Sequence, residues 1–261
     1  VAVIPADPSS VDQVLNYGLD MSAVPRDLVQ PDLVAEGEEL DALVSAEPDW
    51  TRPTPAVGWT IAHQIAHLAA ADANVLIALR NPEAFEQVQD ADHQAAVGAA
   101  KPRSVLLDEW RTGRTEVAAA LRDVPVDQEF PWFGAQVTAT LMVPLRLMEI
   151  WAHGQDILDA VGVKRRPTAR LRHVASLGVV GVGLSFYAAQ LPVPAEPFRV
   201  ELTGPDGETW VWGPEDAEQQ VRGSALDFCL RVTRRRALAE TGLMAVGADA
   251  RKWLEVARVF L

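Results

Sequence analysis

The run Leu145-Arg146-Leu147-Met148-Glu149-Ile150-Trp151-Ala152-His153-Gly154-Gln155-Asp156 reads as an apolar helix into which one carboxylate and one imidazole are set four residues apart. Helical spacing stacks Glu149 and His153 one turn apart on a single face, where they can grip one metal ion. A carboxylate flanked by Met148, Ile150 and Trp151 is costly to bury unless it is paired, protonated or bound to a cation. A second source of imidazole lies far upstream, in Gly58-Trp59-Thr60-Ile61-Ala62-His63-Gln64-Ile65-Ala66-His67-Leu68, again on a stretch with helical apolar spacing. His67 stands there between Ala66 and Leu68. Two imidazoles and a carboxylate are the ligand set of an open His₂Glu zinc site.

Working outward from these two stretches, the same periodicity predicts four long helices. Leu33, Leu40, Leu43 and Val44 mark an amphipathic helix over 31–46, following Pro31. Thr60 is the expected cap of a second helix running to about Leu79, stopped by Asn81-Pro82. Residues 83–101 are polar and alanine-rich, a short helix or a mobile connection. A third long helix is expected over Ser104 to Arg122, with Val105, Leu106, Trp110, Val117 and Leu121 inward. The fourth spans about Thr138 to Val161, with Pro144 predicting either a kink or a later start. Such a set implies a helical bundle, whose core-facing side chains are the usual place to build a metal site.

The character changes after Lys164-Arg165-Arg166-Pro167. One further helix over about 168–190 leads through Pro192, Pro194 and Pro197 to Phe198-Arg199-Val200-Glu201-Leu202, which alternates like a half-buried strand. Gly204-Pro205-Asp206-Gly207 is a turn signal, with Thr209 to Trp212 as the partner strand. Residues 223–235 and 248–260 return to helical spacing. The expected fold is therefore mainly α: an N-terminal extension over 1–30, a four-helix bundle over 31–163, and a smaller α+β domain over 164–261.

Bulk composition narrows the function classes. A chain of 261 residues that is 49% hydrophobic supports a substantial core. With 36 acidic against 23 basic residues, a net charge of -13, the surface repels phosphate backbones and anionic membranes, so no nucleic-acid or membrane partner is expected. The single cysteine, Cys229, leaves no internal disulfide framework and reads as an inert core thiol in a cytoplasmic protein. Pro5, Asp7 and Pro8 interrupt any apolar run near the start, and no secretory signal is expected there. The uncharged stretch 174–195 has transmembrane length, but its glycines, serines and prolines favour a helix buried in protein.

The motifs carry a family resemblance. Pro55-Ala56-Val57-Gly58-Trp59-Thr60 leading to Ala66-His67-Leu68, and Glu149-x-x-x-His153-x-x-Asp156, resemble the second-helix and fourth-helix signatures of the DinB-like superfamily. Within it they are similar to the N-terminal domain of mycothiol-dependent maleylpyruvate isomerases. The hairpin and the closing Trp253-Leu254-x-x-Ala257-x-x-Phe260 resemble the α+β domain that follows the bundle in those proteins, so the likeness covers most of the chain from about residue 30. It implies that His67, Glu149 and His153 are three protein ligands of a divalent metal, with positions left for water or substrate. Zn²⁺ suits these donors, and Ni²⁺, Fe²⁺ or Mn²⁺ accept the same set. The resemblance also implies a mycothiol-type cofactor and a small electrophilic substrate. The expected activity is a thiol-dependent transferase or cis-trans isomerase; the alternative is a non-catalytic metal- or ligand-binding module on the same fold.

Several other residues enter as candidates. His63, one turn before His67, could be a further ligand, a hydrogen-bond partner of one, or a proton shuttle, and the isomerase pattern carries a different polar residue there. Asp156 could orient an imidazole or simply meet solvent, and both His63 and Asp156 are candidate catalytic residues. Arg231, Arg234, Arg235 and Arg236 form the densest basic cluster, and Arg234 and Arg235 are candidates for holding a carboxylate of thiol or substrate. Trp59, Trp132 and Trp151 are candidate pocket walls, and Asp72 reads as structural. The oligomeric state and the identity of the substrate are not legible in the sequence.

Overall fold

Two threonines begin the helices that matter most. Thr138 caps the helix Ala139–Val161 by accepting the Leu141 amide at 3.3 Å, and Gly162 ends it in the left-handed conformation at φ 71. Thr60 precedes the helix Ile61–Arg80, and its own amide donates to the His63 ring at 3.3 Å. The computed structural model describes residues 26–88, 91–133 and 135–259. The expectations made for residues 1–25 lie outside these.

The described residues divide into two compact units, 26–165 and 166–259. In the first, α1 (Arg26–Ala46), α2 (Ile61–Arg80), α4 (Arg103–Asp123) and α5 (Ala139–Val161) form the bundle, with α1 and α4 each packing on α5 and α2 packing on α4 and α5. Their apolar stripes meet in a core that includes Leu40 and Val44 from α1, Ile65 and Leu68 from α2, Trp110 and Leu121 from α4, and Leu147 and Trp151 from α5. Val105, expected inward, is 44% exposed, whereas Leu106 beside it is buried.

The first helix starts at Arg26 rather than after Pro31 and carries that proline inside it. Pro144 likewise lies within α5, as its sixth residue. A proline so near a helix N-terminus removes few hydrogen bonds, so neither ends its helix. The connection 83–101 resolves into a 3₁₀ turn, Pro82–Gln87, and α3 (Ala91–Ala99), which packs closely on α2. Gly98 makes this approach possible, since a Cβ there would stand 2.7 Å from the Ala66 Cβ. Between α4 and α5, where only a loop was expected, β1 (Glu129–Trp132) and β2 (Ala135–Thr138) pair as an antiparallel hairpin. Pro131 within the first strand hid it from a reading by alternation.

The second unit opens with α6 (Leu171–Val180) and α7 (Val182–Ala188), one expected helix bent by 56° at Gly181. No single helix among the described residues is long and apolar enough to cross a membrane. A four-stranded sheet follows in the order β4-β3-β5-β6, built from β3 (Phe198–Thr203), β4 (Thr209–Trp212), β5 (Gln219–Ser224) and β6 (Met244–Val246). β3 pairs antiparallel with β4, as the turn signal predicted, and parallel with β5. α8 (Ala225–Val232) and α9 (Ala248–Val256) complete the unit around Trp253, which meets Phe198 and Phe228 edge-on at 5.4 and 5.7 Å. Cys229 is fully buried on α8 beside the Leu171 carbonyl, as expected of a core thiol.

Two charge contacts set how the bundle helices meet. Asp41 on α1 accepts hydrogen bonds from Arg111 at 2.6 Å and Arg114 at 2.8 Å on α4. The Arg111 contact, outweighing burial, lowers the Asp41 carboxyl to about 2. Deeper in, Asp72 on α2 and Arg146 on α5 form a pair whose side chains are each 2% exposed. Burial pushes the Asp72 carboxyl up, against the pull of the Arg146 guanidinium.

A depressed carboxyl pKa stabilises the fold fully above the unfolded value of 3.8 and loses that contribution as pH falls through about 2. Equilibrium unfolding followed from pH 6 to pH 2 should therefore show a decline that Asp41→Asn makes shallower by about 2 kcal/mol. Arg146→Met should lower unfolding free energy in urea by about 3–5 kcal/mol, because it strands a buried carboxylate; the double variant Asp72→Leu/Arg146→Met should recover most of that loss.

Candidate metal centre

α2 and α5 run side by side, and His67 on one faces Glu149 and His153 on the other. The Glu149 carboxylate oxygen Oε2 lies 3.2 Å from His67 Nε2 and 3.2 Å from His153 Nε2. The two imidazole centroids are 4.4 Å apart. All three donor atoms fall within 4.8 Å of one another, the one group of this kind among the described residues. The side chains are 14%, 22% and 13% exposed in the order His67, Glu149, His153, so the cluster is sheltered but not sealed.

The donor set fits a divalent ion. Ligand atoms held about 2.0–2.1 Å from a tetrahedral centre stand about 3.3 Å apart, close to the spacing seen between carboxylate and each ring. Burial pushes the Glu149 carboxyl up, yet hydrogen bonds from His153 and His67 outweigh it and hold it well below the ordinary carboxylate range. An ionised carboxylate this close to two ring nitrogens requires positive charge between them, supplied by protons or by a metal.

The surroundings treat the two imidazoles differently. His153 Nδ1 lies 2.5 Å from Gln64 Oε1, whereas His67 Nδ1 is buried with no hydrogen-bond partner among the described residues. Trp59 packs across both rings, its centroid 5.5 Å from His67 and 6.1 Å from His153, stacked on the latter. Its position depends on a short loop closed by a bridge between Pro53 and Thr60 and on Gly58, whose φ of 80 favours glycine.

The remaining candidates are dispersed. The His63 ring turns back to the start of α2, with Nδ1 2.9 Å from the Thr60 hydroxyl, and stands outside the three-residue cluster. Asp156 is buried on α5, 4% exposed, and is likewise not one of the three donors. Trp132 packs with Phe85 and Phe133 in a separate aromatic group. Trp151 is buried beneath the Arg165 guanidinium, 4.7 Å from the ring centroid. In the second unit Arg231 is buried and donates to the carbonyls of Leu254 and Glu255 at 2.7 and 2.6 Å. Arg235 donates to the Thr233 carbonyl at 2.8 Å, and Arg236 to that of Arg235. Arg234 is exposed at a left-handed corner, φ 62. Gln64 is the contact that sequence reasoning missed. Its position three residues before His67 was visible, but the tertiary contact with His153 was not.

Comparison with known proteins places this geometry in context. A family model described as the mycothiol maleylpyruvate isomerase N-terminal domain matches residues 33–158, and one described as wyosine base formation matches residues 194–246. Two uncharacterized proteins, from two strains of Mycobacterium tuberculosis, are each 47% identical over 240 residues, covering 88% of this chain and 93% of the relative. Crystal structures of the mycothiol-dependent maleylpyruvate isomerase and of a mutant of it match with TM-scores of 0.61 and 0.60, at 16% and 15% identity. Each alignment covers 87% of this chain and 95% of the other. At that identity the likeness establishes the fold.

The nearness of Trp59 to the donors gives a direct optical test. Titration with Co²⁺ should quench the share of emission due to this one of eight tryptophans, and Trp59→Phe should remove the metal-dependent change.

Proposed function

This chain belongs to the family of the mycothiol maleylpyruvate isomerase N-terminal domain, and from that membership we propose that it is a metal-dependent enzyme using a mycothiol-type thiol. Its reaction is transfer of the thiol to a small electrophilic substrate or a thiol-assisted cis-trans isomerisation. The observation that carries this reading is the convergence of His67, Glu149 and His153 within 4.8 Å.

His67, Glu149 and His153 would hold the ion, most suitably Zn²⁺, leaving coordination positions for a ligand. A divalent ion bound there supplies a Lewis acid that favours the thiolate form of a cysteine-type thiol near neutral pH. The chain's own part is to hold, orient and shelter. Glu149 contributes the negative charge that makes the pair of imidazoles selective for a cation. Trp59 walls one side of the rings and limits water there. Asp156, buried one turn beyond His153, is assigned to orientation on α5, and His63 to the polar surround of α2. In the second unit, Arg234, exposed at its corner, and Arg235 beside it are assigned to holding an anionic group. Addition of thiolate to a conjugated double bond, rotation and loss of the thiol give isomerisation, whereas displacement of a leaving group gives a conjugate. A low-molecular-weight thiol cofactor and a single buried cysteine accord with a reducing cytoplasm.

Elemental analysis of the purified protein, with calorimetric titration of mycothiol into the metal-loaded form, tests the reading. We expect one divalent ion per chain, and affinity reduced in His67→Ala, Glu149→Ala and His153→Ala by more than the roughly 10–100-fold that loss of a ligand's hydrogen-bond partner costs. Stoichiometric metal retained in all three folded variants would overturn it. Metal binding without any heat of thiol binding would favour the non-catalytic module instead.

A further inference from the structure

We propose that Gln64 is a positioning residue that fixes His153 in the tautomer whose Nε2 lone pair faces Glu149 and His67. The inference deepens the proposed function, on whose reading of His153 as a ligand it rests.

It begins with Thr54. The Thr54 hydroxyl donates to the Trp59 carbonyl at 3.1 Å, and a hydroxyl has only one proton to give. Toward Gln64 it therefore acts as acceptor, and it takes the Gln64 Nε2–H at 2.9 Å. That fixes which end of the amide points which way. With Nε2 on Thr54, the carbonyl oxygen Oε1 must face His153 Nδ1. A carbonyl oxygen can only accept, so Nδ1 must carry a proton. In neutral His153 the proton is then absent from Nε2, the nitrogen that faces Glu149.

Burial makes the arrangement rigid. Gln64 is fully buried, 0% exposed, so no water competes for its amide, and rotating it would set acceptor against acceptor at the Thr54 hydroxyl, whose proton is given to the Trp59 carbonyl. The anchor also has a fixed base, because the Trp59 carbonyl that takes the Thr54 hydroxyl takes the Thr54 amide as well, at 2.8 Å. The loop that places Trp59 over the rings thus determines the proton position on one of them. His67 meets Glu149 through Nε2, but its Nδ1 has no such partner among the described residues, so His153 is the member of the pair whose tautomer is pre-set.

The experiment combines side-chain NMR of the metal-free protein with Co²⁺ affinity measured by chelator competition. In the wild type above the pH at which His153 becomes neutral, long-range ¹⁵N spectra should show the Nδ1–H tautomer, assigned by its absence in His153→Gln. Gln64→Leu should release that tautomer and weaken Co²⁺ binding by roughly 10–100-fold. Gln64→Glu, which keeps an acceptor oxygen, should bind within several-fold of wild type. Thr54→Val leaves Gln64 in place but frees its amide, and should give a smaller loss, which covers the case in which Gln64→Leu does not fold. An Nε2–H tautomer in wild type, or undiminished Co²⁺ affinity in folded Gln64→Leu and Thr54→Val, would overturn the inference. If wild type shows the Nδ1–H tautomer yet binds no Co²⁺, the metal reading fails while the tautomer assignment stands.

Discussion

The Glu149 carboxylate, ionised and hemmed in by two imidazoles inside an apolar helix, is the constraint around which the first unit is arranged. Its charge is tolerable only while His67 and His153 stay within reach, and His67 comes from another helix, 82 residues before Glu149 along the chain. The bundle therefore has to hold α2 and α5 in one register. A slip of one turn, about 5.4 Å, would leave the carboxylate facing hydrocarbon.

That register is held independently of any ligand. The Asp72–Arg146 pair joins the same two helices, with Arg146 three residues before Glu149 and Asp72 five beyond His67. Arg165 adds a clasp after α5, donating to Gln155 at 2.9 Å, to the Trp151 carbonyl at 2.7 Å and to Glu36 on α1 at 3.0 Å. Buried ion pairs of this sort give little net stability but discriminate strongly against misplaced neighbours. In this bundle the discrimination is directed to the helices that carry the donors.

Much of this was legible before any coordinates. Apolar spacing located the four long helices because a bundle core imposes a 3.6-residue rhythm, and the i, i+4 relation of Glu149 and His153 is a property of the helix itself. That His67 joins them followed from the family likeness of the flanking motifs, not from periodicity. What stayed hidden was tertiary or irregular. The β1–β2 hairpin carries a proline, the strand Gln219–Ser224 lacks clear alternation, and the bend at Gly181 falls within an unbroken apolar run. Gln64 looked like one polar residue among many, because a hydrogen bond spanning 89 residues leaves no local mark. His63 was singled out for its proximity to His67, but it serves the helix start, a task that histidine seldom performs.

The contact between Gly98 and Ala66 has an evolutionary corollary. Two backbones that touch at a residue without a side chain can neither drift apart nor accept the smallest addition, and Ala66 adjoins the imidazole at 67. Variation among descendants of this chain should therefore be freest on the outer turns of α3 and most restricted at this one point, where a single added methyl would be transmitted through the helix to the donor cluster.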